Sequence, residues 1–294
     1  MTEYSNKLNL IAKHTNQYLK DFFLKQNKKS YLTKPMKYGL FSGGKRFRSA
    51  IVVSIGKIFE INYKELIIVG SAIECIHAYS LMHDDLPAMD NDVFRRGKLS
   101  THKKFNEFTA ILAGNALLTL AFEILSGPDL KTKQKIKNEL INSLCNCSGH
   151  YGLAEGQYFD LSYEKKKISM KDIINMQKQK TGKLFGFCCE SVAILGQQSI
   201  KKRNVWKNIG IEIGLLFQIV DDLIDHKGDA TIVGKPTKKD KKKGKATLIS
   251  FLGYKEALNF AINLKKEIDF KIKKYGGKNN YLLDSVEFIL KRDF

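Results

Sequence analysis

Cysteine is scarce and shows no pairing pattern. The five residues Cys75, Cys145, Cys147, Cys188 and Cys189 are odd in number and include no CxxC pair, which excludes a disulfide framework or zinc ribbon and fits a reduced, cytoplasmic setting. Proline occurs only four times, at 35, 87, 128 and 236, each where a helix would start or stop. No run of 18 apolar residues exists, and the N-terminal MTEYSNKLNLIAKH lacks a signal-peptide core, so no transmembrane segment is expected. GxxxxGK[ST] and GxGxxG are absent, which removes the usual grounds for a nucleotide fold. Internal repeats and linkers rich in Gly, Ser or Pro are missing too, so residues 1–294 are expected to form one domain.

What is present is a chain that can bury a sizeable core, with 43% hydrophobic residues over 294 positions. Helical periodicity runs almost throughout and strand-like alternation is nearly absent. Helices are expected near 5–26, 36–59, 64–85, 101–125, 130–157, 169–198, 204–226, 245–273 and 281–291, an all-α fold. The formal charge of +20 comes overwhelmingly from lysine. It is consistent with solvated surfaces or with an anionic partner such as nucleic acid, a membrane surface or a phosphorylated substrate.

Against that charge, residues 80–98, SLMHDDLPAMDNDVFRRGK, gather Asp84, Asp85, Asp90 and Asp92 in one short stretch. Carboxylates about 6 Å apart repel by roughly 3 kcal/mol at an effective dielectric near 20, so the cluster calls for a cation or for open water. Pro87 stops the helix that carries Asp84 and Asp85, and Asp90 arrives by a loop. His77, two turns before Asp84, shares its face. A second cluster lies in NVWKNIGIEIGLLFQIVDDLIDH, where Gln218, Asp221, Asp222 and Asp225 project at roughly 0°, 300°, 40° and 340°, one stripe on an otherwise apolar helix. Buried carboxylates need a partner or a metal. Aspartates without suitably spaced His or Cys favour hard ions such as Mg²⁺, which completes its octahedron with water and substrate phosphate.

Phosphate donors are therefore sought, and the candidates are GGKRFR at 43–48, Arg95-Arg96, Lys180-Thr181-Gly182-Lys183 and Gly234-Lys235. Arginine grips phosphate oxygens in bidentate fashion, lysine acts as a point charge, and paired glycines let backbone amides approach. Of only six arginines in the chain, four sit in GGKRFR and FRRG, a concentration that surface drift does not explain.

The ordered set GGKRFR, DDLPAMD followed by RRG, GQYFD at 156–160, KTG at 180–182, FQIVDDLID at 217–225 and VGK at 233–235 resembles the trans-isoprenyl diphosphate synthases. Four residues separate Asp85 from Asp90, as in the bacterial farnesyl-forming members. The resemblance implies a helical bundle around a deep central cavity, usually a cytoplasmic homodimer. It implies two Mg²⁺ ions on Asp84 and Asp90 and a third on Asp221 assisted by Asp225. The allylic diphosphate is expected on these metals and on Arg95, Lys180, Thr181, Gln218 and Lys235, and isopentenyl diphosphate on Lys45, Arg48, His77 and Arg96. Asp84, Asp90, Arg95, Lys180 and Asp221 would be the catalytic groups, and Tyr79 and Ser80 would set product length. The expected product is farnesyl diphosphate, with geranyl or geranylgeranyl diphosphate as alternatives. A terpene cyclase has similar acidic motifs but no need of the second diphosphate pocket that GGKRFR provides. A basic nucleic-acid-binding protein leaves the Gln218–Asp225 stripe unexplained, so no nucleic-acid partner is expected.

Overall fold

The computed structural model describes residues 3–26, 29–227, 245–276 and 281–292, and these are helical nearly throughout, as the periodicity predicts. In chain order the helices are α1 (Glu3–Lys25), α2 (Thr33–Leu40), α3 (Phe47–Gly56), α4 (Tyr63–Asp84), α5 (Thr101–Lys104), α6 (Glu107–Ser126), α7 (Gln134–Ser148), α8 (Leu153–Ser162), α9 (Met170–Gln177), α10 (Lys183–Leu195), α11 (Ile200–Lys227), α12 (Leu248–Leu252), α13 (Tyr254–Gly276) and α14 (Tyr281–Leu290). Backbone proximity divides the chain into two compact units, Met1–Val53 with Ile61–Ile141 and Ser54–Glu60 with Asn142–Phe294.

Several helices expected to be continuous are broken, each for a local reason. The span 36–59 becomes α2 and α3, because Gly43 (φ 104°), Gly44 (φ 105°) and Arg46 (φ 48°) adopt left-handed backbone that a helix cannot contain. The span 101–125 divides at Asn106, whose side chain accepts from the Thr109 N–H at 2.9 Å and caps α6. Gly253 (φ 81°) separates α12 from α13. In 169–198 the helix widens into a π turn over Lys178–Gly182, where the Lys183 N–H reaches back to the Lys178 carbonyl.

In the first unit α4 is the core helix. Asn62 caps it by accepting from the Lys64 N–H at 2.9 Å, and it is buried over most of its length until Pro87 prevents its continuation. Helix α6 lies against it, and Gly114 permits the approach, since a Cβ there would stand 2.2 Å from Nε2 of His83. By length and composition α4 and α6 could each cross a bilayer, but α4 is a buried core helix and α6 buries the face that meets it. Beyond α4 comes the one β-ladder among the described residues, β1 (Phe94–Arg95) with β2 (Lys98–Leu99), antiparallel with Arg95 opposite Lys98. Arg96 (φ 52°) and Gly97 (φ 74°) form its two-residue turn with the positive φ pair of a type I′ hairpin.

In the second unit α11 packs on α10 and on the π turn through glycines. A Cβ on Gly210 would lie 2.4 Å from the Phe185 carbonyl oxygen, and one on Gly214 would lie 2.7 Å from the Gly182 Cα. Backbone meets backbone here, so a methyl group has no flexible neighbour to push aside. Gly210→Ala is expected to destabilise the protein by about 2 kcal/mol through overpacking, read as a lowered midpoint in urea denaturation at unchanged m-value.

Candidate active site

The first acidic motif is folded into a tight turn by its own backbone. The Asp90 N–H donates to the Asp84 carbonyl at 2.8 Å, Asn91 N–H to the Leu86 carbonyl at 3.0 Å, and Asp92 N–H to the Asp85 carbonyl at 3.1 Å. This bonding brings Asp90 back over the end of α4. The four aspartates then divide by environment. Asp85 and Asp92 are buried, whereas Asp84 and Asp90 are partly exposed. The buried pair takes Arg95: its Nε donates to Asp85 Oδ1 at 3.0 Å, its Nη2 donates to the same oxygen, and Asp92 Oδ2 stands 3.6 Å from Nη2. Burial opposes the charge of Arg95, but the hydrogen bond and charge of Asp85, followed by Asp84 and Asp92, outweigh it and strengthen the guanidinium's hold on its proton.

Arg96, the next residue, points elsewhere. Its Nη1 donates to the Gly43 carbonyl at 2.5 Å, and a Cβ on Gly44 would stand 2.5 Å from that nitrogen. The paired glycines of GGKRFR thus make room for an arginine as well as for the left-handed loop. Arg46 leaves this surface altogether. Its guanidinium is buried, 3.4 Å from Glu74 Oε2, with Nε donating to Asn16 Oδ1 at 2.9 Å and Nη2 to the Leu40 carbonyl at 2.5 Å. Glu74 also accepts from the Ser49 N–H at 3.3 Å, so one carboxylate ties both ends of the segment that carries Arg48. His77, on α4, is held well below its ordinary pKa by burial first and then by Arg48, Arg96, Arg46 and Arg95. It therefore enters this basic group as a neutral imidazole. Lys45 is exposed at the start of the segment.

In the second unit the π turn and α11 share a chain of hydrogen bonds. Thr181 Oγ1 donates to Gln218 Oε1 at 2.9 Å, Gln218 Nε2 to Asp222 Oδ1 at 2.9 Å, and Gln177 Nε2 to Asp222 Oδ2 at 2.9 Å. Lys180 Nζ donates to Asp160 Oδ2 on α8 at 2.6 Å. The acidic stripe expected on α11 is split: Asp222 turns inward to the two glutamines, while Asp221 and Asp225 stay partly exposed. Neighbours on a helix diverge by about 100°, enough to send adjacent carboxylates to different partners.

Comparison with known proteins settles what this assembly of motifs is. A family model described as polyprenyl synthetase matches residues 29–275. The chain belongs to the polyprenyl synthetase family. The farnesyl diphosphate synthase of Micrococcus luteus is 37% identical over 267 residues, 90% of each chain. Among solved structures, the apo FPP/GFPP synthase of Zymomonas mobilis is 37% identical with a TM-score of 0.84, covering 97% of this chain and 99% of that one. The Helicobacter pylori geranyltransferase complexed with magnesium and isoprenyl diphosphate is 28% identical with a TM-score of 0.83, covering 99% of this chain and 97% of that one.

With the family known, the remaining candidate residues can be placed. Tyr79 is buried one turn before Asp84, and its ring stands edge-on to that of His83 at 5.6 Å. The Ser80 hydroxyl is buried and donates to the His77 carbonyl at 3.0 Å. Lys235, Gly234 and Pro236 lie outside the described residues, as does most of the lysine-rich run at 235–245. Among the described residues no three His, Cys, Asp or Glu side chains converge as a metal-binding group. Each acidic motif instead offers partly exposed carboxylates alone, the donor set that suits a hard ion taking its other ligands from water and phosphate.

Four contributors escaped the reading of the sequence. Arg292 Nη1 pairs with Asp221 Oδ1 at 2.9 Å, and its guanidinium lies 3.9 Å above the Phe217 ring. Only its rarity, one of six arginines, marked it. Lys245 shares Asp160 with Lys180, Nζ to Oδ2 at 3.3 Å, but is lost among lysines in the sequence. Asp160 itself was visible only within a motif. Glu74 carried the clearest unread signal, as the only acid between Leu66 and His83 on a buried apolar helix. Removing it would strand a buried guanidinium, so Glu74→Ala is expected to cost about 3–5 kcal/mol of stability, measured as a fall in the urea midpoint.

Proposed function

We infer that this chain is a prenyltransferase that condenses isopentenyl diphosphate head-to-tail with dimethylallyl and then geranyl diphosphate to give farnesyl diphosphate. The observation that carries the reading, beside the family, is Arg96 lying on the Gly43-Gly44 loop next to Arg48 and neutral His77. This is a basic group distinct from the acidic turn at Asp84 and Asp90. A reaction that joins two diphosphate esters needs a second anion-binding place, whereas a cyclase acting on one ester does not.

In this reading Asp84 and Asp90 would hold two Mg²⁺ ions, and Asp221 with Asp225 a third. Magnesium bound there supplies neutralisation of the charge that builds on the departing diphosphate. Arg95, steadied by Asp85 and Asp92, and Lys180 donate to the oxygens of the allylic diphosphate, with Thr181, Gln218 and Lys235 completing its site. Under that pull the allylic carbon–oxygen bond breaks and leaves an allylic cation. Lys45, Arg48, Arg96 and the His77 imidazole hold isopentenyl diphosphate so that its double bond attacks the cation and forms the new carbon–carbon bond, with proximity removing much of the two-substrate barrier. The released diphosphate accepts the proton lost from the condensed product. No side chain need act as nucleophile.

The reading extends to assembly and location. Residues 1–294 serve as one catalytic domain. A second copy of the chain covers the outer face of α6, where Phe108 (65% exposed), Ile111 and Leu112 (47%) form an apolar stripe at helical spacing. Five free cysteines suit the reducing cytoplasm.

Incubation with labelled isopentenyl diphosphate, geranyl diphosphate and Mg²⁺ is expected to give a fifteen-carbon product on chromatography. Asp84→Ala should lower the rate by about 10³-fold, in line with losing charge stabilisation at the leaving group. A near-wild-type rate from that variant would falsify the metal assignment. Product length is assigned to Tyr79, whose buried ring stands one turn before the acidic turn, with Ser80 beside it. Tyr79→Ala is expected to shift products to twenty carbons or more, and an unchanged fifteen-carbon product would place the limit on another residue.

A further inference from the structure

The GQYFD segment at 156–160 has no role in the mechanism above, yet it touches the residue on which the allylic site turns. Helix α8 meets the π turn at Gly156, where a Cβ would stand 2.1 Å from the Lys180 backbone nitrogen and 2.5 Å from its Cα. Only a residue without a side chain lets the two backbones lie this close. One turn on, Asp160 faces the same way and is buried. Its Oδ2 receives Lys180 Nζ at 2.6 Å and Lys245 Nζ at 3.3 Å. One carboxylate oxygen thus gathers two ammonium groups. Gln157, on the same buried face and 6% exposed, has neither amide atom hydrogen-bonded among the described residues. Buried amide atoms left so call for a water, an ion or a ligand as partner.

We propose that Asp160 is a positioning residue for the allylic diphosphate site, holding Lys180 and Lys245 side by side so that a polyanion meets a preassembled pair of cations. Left alone, two ammonium groups this close would repel and splay. The carboxylate offsets that repulsion and keeps the two cations together for the diphosphate. Gly156 sets the distance over which Asp160 acts. The proposal rests on the reading that Lys180 contacts the allylic diphosphate.

The test measures KM for geranyl diphosphate and for isopentenyl diphosphate separately, together with thermal midpoints. Asp160→Asn, which keeps the shape and removes the charge, is expected to raise the geranyl diphosphate KM by about tenfold, as losing one partner of a buried charge group does, while the isopentenyl diphosphate KM stays within about twofold. Asp160→Glu should recover part of the loss. In a Lys180→Ala background the same Asn substitution should raise that KM by clearly less than it does alone, because of the pair only Lys245 is left to position. Equal rises in both KM values, or full additivity with Lys180→Ala, would reduce Asp160 to a structural staple and overturn the proposal. Should Asp160→Asn not fold, Asp160→Glu carries the test by displacing the carboxylate one methylene: an unchanged geranyl diphosphate KM overturns the role, a raised one supports it. If Lys180→Ala by itself leaves geranyl diphosphate kinetics unchanged, the allylic site is elsewhere, and the functional reading of Lys180 falls together with the proposal. If Lys180→Ala weakens the allylic substrate and Asp160→Asn does not, only the positioning role fails.

Discussion

Arg95 between Asp85 and Asp92, Arg46 against Glu74, and Lys180 with Lys245 on Asp160 share one arrangement: a cation fixed by a buried carboxylate. A protein that handles polyanions must hold positive groups near one another, and bare positive groups drive each other apart and draw in water. Buried acids resolve this conflict at a cost in desolvation that the hydrogen bonds offset. Two sorts of acid stand out among the described residues. Asp85, Asp92, Glu74 and Asp160 are inside and occupied by cations of the chain itself, whereas Asp84, Asp90 and Asp225 are partly exposed.

The fold serves this arrangement by letting backbones come close where polar side chains must meet. Gly114 admits His83 to α6, Gly210 and Gly214 seat α11 on α10 and the π turn, and Gly156 seats α8 on Lys180. In each case the missing side chain shortens the distance between elements and so fixes the reach of the polar groups nearby. The π turn adds a widened register at Lys178–Gly182, which lets the KTG residues present Lys180 toward α8 and Thr181 toward α11.

Helix identity and the two acidic motifs were legible in the sequence because apolar periodicity and clustered like charge are local signals. Breaks were harder to see. Nothing in the composition of 169–198 announces a π turn, since its stability comes from packing against α8 and α11. The stripe on α11 was legible as polar, but not the partners of Asp222, which belongs to Gln177 and Gln218, a pairing made by residues 45 and 4 positions away. Arg46 shows the same limit from the other side. Within GGKRFR it is indistinguishable from Arg48 by chemistry, and its pairing with Glu74 in the interior is seen only in three dimensions. Glu74 could have been read, because an isolated acid in a buried apolar helix implies a buried cation somewhere.

The hairpin at Arg95 and Arg96 carries a consequence for how the sequence can drift. Arg95 occupies a strand position and Arg96 the first place of a left-handed turn, so one peptide unit sends two guanidinium groups to different partners, the Asp85 turn and the Gly43 loop. A single residue inserted or deleted between Asp90 and Gly97 would shift the two arginines out of their places at the strand end and in the turn. Asn91 has left-handed backbone (φ 51°) and Asp92, Arg95 and Arg96 make specific contacts, so the composition of this loop is free to vary only at exposed places such as Val93. Its length is not, and natural or engineered relatives that change it would have to rebuild both arginine contacts together.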